Sequence, residues 1–120
     1  MDRYLIFKTR DELVRIKIDQ ILYFAAERNY TKLILSNNIQ FVFAVNLGKI
    51  EEILEKQVKD YSKALIRVGK SFIINKNHVM QINLPKTKLL FSASDGKARE
   101  LIVPKEPLKV LKETIENELS

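Results

Sequence analysis

The segment Ala64-Leu-Ile-Arg-Val-Gly-Lys-Ser-Phe-Ile-Ile-Asn75 contains two apolar runs with a polar bend between them. The runs have the length and composition of buried β-strands, and Gly69 lies where the backbone has to turn. Arg67, Lys70 and Ser71 surround this glycine. Because two cations and a hydroxyl fill a core poorly, we expect the bend to project as a rigid polar tip that meets an anionic partner.

Short strands and one helix are predicted ahead of this segment. The strands have alternating or continuous apolar residues between polar breaks. Their predicted ranges are 4–8, 13–18, 21–26, 30–36 and 39–45. Asn37 and Asn38 tolerate a positive φ, which predicts a tight hairpin between the last two strands. Asn46 is the predicted N-cap of a helix over about 47–59, where apolar residues recur at helical spacing.

Behind the segment, the pattern predicts strands over 78–82, 88–93 and 98–103. Asp95-Gly96 indicates a hairpin between the last two. Pro104 and Pro107 are expected to bracket a loop, and a C-terminal helix is expected to bury its apolar stripe. That stripe consists of Leu108, Leu111, Ile115 and Leu119. Many short strands with two helices predict a mainly β fold.

Length and composition set limits on the class of protein. A chain of 120 residues predicts one domain over 1–120, without room for a receiver domain. The absence of cysteine excludes disulfides and cysteine chemistry. No apolar run reaches the roughly 20 residues of a membrane helix, and the start lacks the features of a signal peptide. We therefore expect a soluble, cytoplasmic protein.

The residue types argue against an enzyme, a metal site or a bound cofactor. His78 is the only histidine, and it is expected to be structural or on the surface at the start of an apolar strand. The His, Asp and Glu residues lack metal-ligand spacing, and three scattered glycines form no phosphate-binding loop.

The positive charge is concentrated in one half of the chain. The net charge is +6, yet residues 63–112 alone hold 11 Lys or Arg and only 3 Asp or Glu. Such an excess fits a face that binds a polyanion, and it equally fits a lysine-rich solvated surface. Charge alone leaves these two interpretations open.

The residues around the bend resemble a known family. Arg67-Val-Gly-Lys-Ser-Phe-Ile-Ile-Asn75, followed by Val79-x-x-Ile82, is similar to the central motif of the LytTR family of bacterial DNA-binding domains. Asp19-Gln-Ile-Leu-Tyr-Phe-Ala-Ala-Glu-Arg-Asn-Tyr-Thr31 is similar to the first half of that family. Two positions depart from its pattern. Gly69 stands where the family commonly has His, and Val103-Pro104-Lys105 stands where it commonly has a pair such as Ser-Arg.

The resemblance implies small stacked antiparallel β-sheets with one short internal helix and a C-terminal helix. It also implies a transcriptional regulator of the response-regulator type, whose loops enter successive major grooves of bent duplex DNA. The resemblance further implies a binding site of paired direct repeats, a dimer on DNA and a separate regulatory protein.

Three loops hold the candidate contact residues. Asn29 is a candidate for a base edge, because Asn pairs with adenine, although taken alone it is better explained as a turn residue. Lys70 is the main candidate for a guanine edge. Lys105, placed by the resemblance among the base-contacting residues, suits phosphate better because Lys lacks the fork of Arg. The phosphate candidates are Arg28, Arg67 and Ser71, with Lys76, Lys86 and Arg99 as weaker candidates at the rim.

Two alternatives remain at this point. The departures at Gly69 and at 103–105 are compatible with a protein-interaction module on the same fold with weakened DNA contacts. Binding of a single-stranded nucleic acid would require exposed aromatic residues on a sheet face. The aromatic residues in question are expected in the core instead. They are Tyr23, Phe24, Phe41 and Phe43.

Overall fold

The computed structural model describes residues 3–61 and 63–118, and in this part of the chain ten strands form three antiparallel sheets with two helices. The strands are β1 Tyr4–Lys8, β2 Leu13–Lys17, β3 Ile21–Glu27, β4 Tyr30–Leu35, β5 Gln40–Phe43, β6 Leu65–Val68, β7 Phe72–Asn75, β8 Val79–Asn83, β9 Lys88–Ser92 and β10 Ala98–Ile102. The helices are α1 Leu47–Gln57 and α2 Lys105–Asn117. The predicted mainly β fold, with one internal and one C-terminal helix, is confirmed.

A five-stranded sheet in the order β5-β4-β3-β7-β6 forms the centre of the molecule. One face packs against the β1–β2 hairpin and α1, and Phe24, Leu33 and Ile73 lie in that core. The other face packs against β9 and α2, and Leu22 and Ile74 lie in that second core. Strand side chains alternate between faces, so neighbouring residues such as Ile73 and Ile74 point to opposite sides of the sheet. Both are buried because both faces of the sheet are covered. This explains why the apolar runs of the sequence are continuous.

Two polar residues, Asn75 and His78, hold neighbouring segments together at the end of β7. The Asn75 side chain is buried; its Nδ2 donates to the carbonyl of Ile21 at 2.9 Å, and its Oδ1 accepts from the N–H of Asn77 at 3.1 Å. The His78 ring lies between the carbonyls of Asp19, 2.5 Å from Nε2, and Ser92, 3.2 Å from Nδ1. His78 therefore bridges the segment before β3 and the three-stranded sheet.

Several local predictions are confirmed, and several boundaries are corrected; the strand predicted over 39–45, for example, spans only Gln40–Phe43. Asn46 caps α1 by accepting from the N–H of Lys49 at 2.9 Å, and Asn38 has a φ of 70° in the β4–β5 hairpin. Helix α1 ends at Gln57, two residues before the predicted end at Lys59. The strand predicted to start at His78 starts at Val79, because residues 76–78 form a 3-10 turn.

The expected loop between Pro104 and Pro107 is wrong, because α2 already begins at Lys105. Pro104 immediately precedes the helix, and its carbonyl accepts from the N–H of Leu108 at 3.1 Å. Pro107 lies in the first turn, where an N–H has no intrahelical acceptor and a proline removes no hydrogen bond. Leu111 is buried as predicted, and Leu119 lies outside the described residues.

Candidate nucleic-acid interface

The first candidate turn joins β3 to β4. Glu27 pairs with Tyr30, which leaves Arg28 and Asn29 as the two residues of the turn. Arg28 has a φ of 59°, and both side chains are exposed. Tyr30 is 52% exposed beside them, although large apolar residues are usually covered. Tyr30 is not among the contact residues predicted from the sequence, where its one distinguishing feature is its place directly after the turn.

The second candidate turn joins β6 to β7 and consists of residues 69–71. Gly69 has a φ of +63°, a conformation that suits glycine, so the bend predicted there is confirmed. The N–H of Ala26, near the end of β3, donates to the carbonyl of Ser71 at 2.7 Å. Since β3 leads directly into the first turn, this bond places the two turns side by side at one end of the central sheet.

The start of α2 and the β8–β9 turn complete this edge. A Cβ built on Gly69 would lie 2.9 Å from Cγ of Pro107, so the first turn of α2 touches the β6–β7 turn. The N–H of Val103 donates to the carbonyl of Thr87 at 3.0 Å, which places the turn containing Lys86 against the segment leading into α2. We call residues 28–29, 69–71, 84–87 and 103–107 the loop edge.

The loop edge carries cations without internal partners. Arg28, Lys70, Lys86 and Lys105 are all exposed. In the part of the chain that the structure describes, none of the four forms an ion pair. Nearby Glu27 lies 3.8 Å from Lys32, across the β3–β4 ribbon. The charges of these four side chains are therefore available to an external anion.

Other candidate cations are paired within the protein. Lys76 lies at the opposite end of β7, where it pairs with Glu118 and is only 16% exposed. The structure does not bring it to the loop edge. Arg99 pairs with Asp95 at 2.5 Å. The backbone N–H of Lys97 and the guanidinium of Arg99 hold the pKa of Asp95 below its ordinary value.

Arg67 points back over the β6–β7 turn. Its Nε donates to the carbonyl of Gly69 and its Nη2 to the carbonyl of Lys70, each at 3.1 Å. Its Nη1 pairs with Glu51 of α1. Ser71 is exposed at the turn itself.

The four aromatic residues that a single-stranded nucleic acid would require on the surface lie in or against the cores. Phe24 is fully buried, while Phe41 and Phe43 pack against the first core. Tyr23 stacks on Phe91 with ring centroids 5.3 Å apart, and burial raises the pKa of its hydroxyl. These positions agree with the expectation that the four aromatic residues belong to the core.

Among the described residues, no group of three His, Cys, Asp or Glu side chains is arranged to hold a metal ion. No helix in residues 3–61 and 63–118 is long and apolar enough to cross a membrane.

Comparison with known proteins identifies relatives of the same fold. Residues 11–116 match the family model of the LytTr DNA-binding domain. One solved structure is the LytTr DNA-binding domain of a Bacillus cereus protein described as a methyl-accepting/DNA response regulator. It is 21% identical, covers 94% of this chain and 96% of its own, and superposes with a TM-score of 0.62. No curated protein sequence matches the chain. The structural similarity confirms the predicted LytTR-like architecture.

The contact between Gly69 and Pro107 predicts that replacing Gly69 by Ala destabilises the protein more than replacing Gly96 by Ala. Both Gly69 and Gly96 have positive φ, so replacement by Ala should cost each about 1–2 kcal/mol in strain. A Cβ at Gly96 meets nothing within 4 Å, whereas one at Gly69 collides with Pro107. Urea unfolding should therefore show a greater loss of stability for Gly69→Ala.

The double variant Gly69→Ala/Pro107→Ala should recover much of the excess loss, since Pro107→Ala removes Cγ, the atom 2.9 Å from the new Cβ, and leaves only the Cβ contact at 3.2 Å. Equal losses for the two single glycine variants, with no recovery in the double variant, would show that α2 does not press on this turn.

Proposed function

Because the chain belongs to the LytTr DNA-binding domain family, we propose that its loop edge binds duplex DNA sequence-specifically and that the protein acts as a transcriptional regulator. The observation that carries this proposal is the collection of four exposed cations on four separate segments along one edge, none of which forms an ion pair within the described part of the chain. Elsewhere in the described chain, Arg67, Lys76 and Arg99 are neutralised by carboxylates.

Electrostatic attraction to the phosphates supplies most of the affinity. Each cation that neutralises a phosphate releases a condensed counterion, which makes binding favourable at low salt and weaker as salt rises. Arg28, Lys86 and Lys105 are suited to this role because they occupy separate segments that follow the edge. Lys105 also stands at the first position of α2, where the helix dipole already favours an anion.

Base selection falls to the centre of the edge. Lys70 projects from the turn next to Gly69, and Asn29 lies on the neighbouring turn. Lys donates to the O6 and N7 atoms of guanine, and Asn makes paired hydrogen bonds with adenine. Ser71 and Tyr30, exposed between these residues, offer hydroxyl groups to phosphate oxygens. We therefore assign Lys70 and Asn29 to bases in the major groove and the surrounding residues to the backbone.

The duplex bends to meet all of these contacts. Equivalent major-groove positions on one side of straight DNA are about 34–36 Å apart, whereas the β3–β4 turn, the β6–β7 turn and the start of α2 lie side by side. Short turns this close together engage successive grooves when the DNA curves toward them. A bend of tens of degrees costs on the order of 1–6 kcal/mol, which the added contacts must offset.

The wider setting follows from the same proposal. Two molecules occupy paired direct repeats as a dimer on DNA, and a separate regulatory protein controls the activity in the cytoplasm. A protein-interaction module remains the outcome if duplex binding is absent.

Salt dependence tests the function directly. With about three phosphates neutralised, by Arg28, Lys86 and Lys105, the slope of log K against log salt should be near −2.7, or roughly a 40-fold loss of affinity between about 50 and 200 mM salt. Fluorescence anisotropy with a duplex selected from a random pool measures this slope. No binding to any duplex at low salt would reject the proposal and favour the interaction module.

Lys70→Ala and Lys105→Ala should have different effects on DNA binding. Loss of a base contact at Lys70 should weaken the selected duplex by about 1–3 kcal/mol and relax the choice at one base pair. Loss of a phosphate contact at Lys105 should weaken all duplexes alike and reduce the salt slope by about 0.9. Titrations of selected and scrambled duplexes at two salt concentrations separate these effects.

Lys56→Ala is the charge-matched control, because Lys56 is exposed in the last turn of α1, away from the loop edge. It should leave both the discrimination and most of the affinity unchanged. If Lys70→Ala weakens both duplexes equally, Lys70 binds phosphate and base selection lies elsewhere.

The bend can be observed by gel mobility. Circularly permuted probes that carry the selected site should migrate most slowly when the site lies at the centre of the fragment. Equal mobility of all permutations would contradict bending and leave only a local contact with one groove.

A further inference from the structure

We propose that Arg67 is a positioning residue. It holds the β6–β7 turn in the shape that presents Lys70 to a base, and Glu51 of α1 anchors it. This inference rests on the proposed function and changes one part of the expectation drawn from the sequence, in which Arg67 binds phosphate.

The guanidinium of Arg67 is already occupied. Its Nε and Nη2 donate to the carbonyls of Gly69 and Lys70, each at 3.1 Å, and its Nη1 pairs with Glu51. The rigid fork of Arg allows these bonds to be made together, which the single ammonium of Lys does not. A phosphate contact by Arg67 would compete with bonds that define the turn.

Arg67 also completes the set of carbonyl contacts in the turn. The carbonyls of Gly69 and Lys70 accept from Arg67, and that of Ser71 accepts from the N–H of Ala26. With these three carbonyl groups directed toward the protein, the Lys70 side chain remains exposed. A fixed turn reduces the conformational entropy that binding would otherwise cost.

Removing the charge of Glu51 should change DNA affinity in opposite directions, depending on whether Glu51 anchors Arg67. A carboxylate near a DNA-binding turn repels phosphate, so removing its charge should by electrostatics alone strengthen binding to every duplex. If Glu51 anchors Arg67, removing its charge should instead weaken binding to the selected duplex. At 46% and 35% exposure, Glu51 and Arg67 form a partly solvated pair, whose contribution to overall stability is small. The role of this ion pair is to hold the Arg67 side chain against the β6–β7 turn.

Glu55 provides a matched control. It lies one turn further along α1 and lines the same cleft between α1 and β6, which also includes Glu51 and Arg67. Glu55 is exposed, and within residues 3–61 and 63–118 it forms no ion pair. Glu55→Gln therefore removes the same charge as Glu51→Gln without touching the turn.

The experiment compares Arg67→Lys, Arg67→Gln, Glu51→Gln and Glu55→Gln in the full chain. Affinity is measured for the selected and scrambled duplexes at several salt concentrations. For both Arg67 variants and for Glu51→Gln, we expect the ratio of selected to scrambled affinity to fall about 5- to 100-fold, with the salt slope unchanged. Glu55→Gln should retain the ratio.

A readout without DNA accompanies these titrations. Backbone ¹⁵N relaxation should show increased fast motion at residues 69–71 in the Arg67 variants and in Glu51→Gln, and not in Glu55→Gln. Unchanged motion in all four variants would overturn the anchoring role, whatever the DNA results.

A phosphate role for Arg67 would produce the opposite pattern. Arg67→Lys would then retain the ratio, Arg67→Gln would reduce the salt slope by about 0.9 on both duplexes, and Glu51→Gln would strengthen both. That result would overturn the inference while leaving the proposed function intact. Failure of the unmodified chain to bind any duplex would instead overturn the proposed function and, with it, the role of Arg67 on DNA.

Discussion

The antiparallel pairing of β3 with β7 is the contact on which the candidate interface depends. These strands are distant in sequence, yet the bond from the N–H of Ala26 to the carbonyl of Ser71 brings the end of one beside the start of the other. The turns that follow β3 and precede β7 therefore share an edge. Both faces of the sheet are buried, so a one-residue shift of register would move each side chain from one core into the other. The packing of the two cores therefore fixes the position of the turns.

Helix α2 extends this edge because Gly69 has no side chain. Pro107 occupies the space where a Cβ would stand, and the close approach places Lys105 near Lys70. A glycine here therefore serves two purposes: it permits the positive φ of the turn, and it admits the helix. A histidine at position 69, as the family commonly has, would place a Cβ in the space that Pro107 fills. Glycine at this position therefore allows the direct contact between the turn and the helix.

Local patterns predicted most of the fold, and they failed where distant residues decide. The alternation in β2, the cap at Asn46 and the hairpin at Asn37-Asn38 each depend on neighbouring residues, and each was found in the sequence. The loop expected at Pro107 is wrong for a local reason, because a proline usually ends a helix but is tolerated in the first turn. The partners of Arg67 and Lys76, Glu51 and Glu118, lie 16 and 42 residues away. Local sequence patterns do not show such pairs. The structure was therefore needed to tell which cations form ion pairs and which do not.

The proposed function requires that the loop edge is the surface that contacts DNA. Titration of the ¹⁵N-labelled protein with the selected duplex, followed by backbone amide shifts, tests it residue by residue. The largest changes should fall at residues 28–30, 69–71, 84–87 and 103–107, with little change near Lys76 and Asp60 outside the edge. Changes concentrated on those two positions, or on the exposed face of α1, would contradict the claim and place the DNA on another surface.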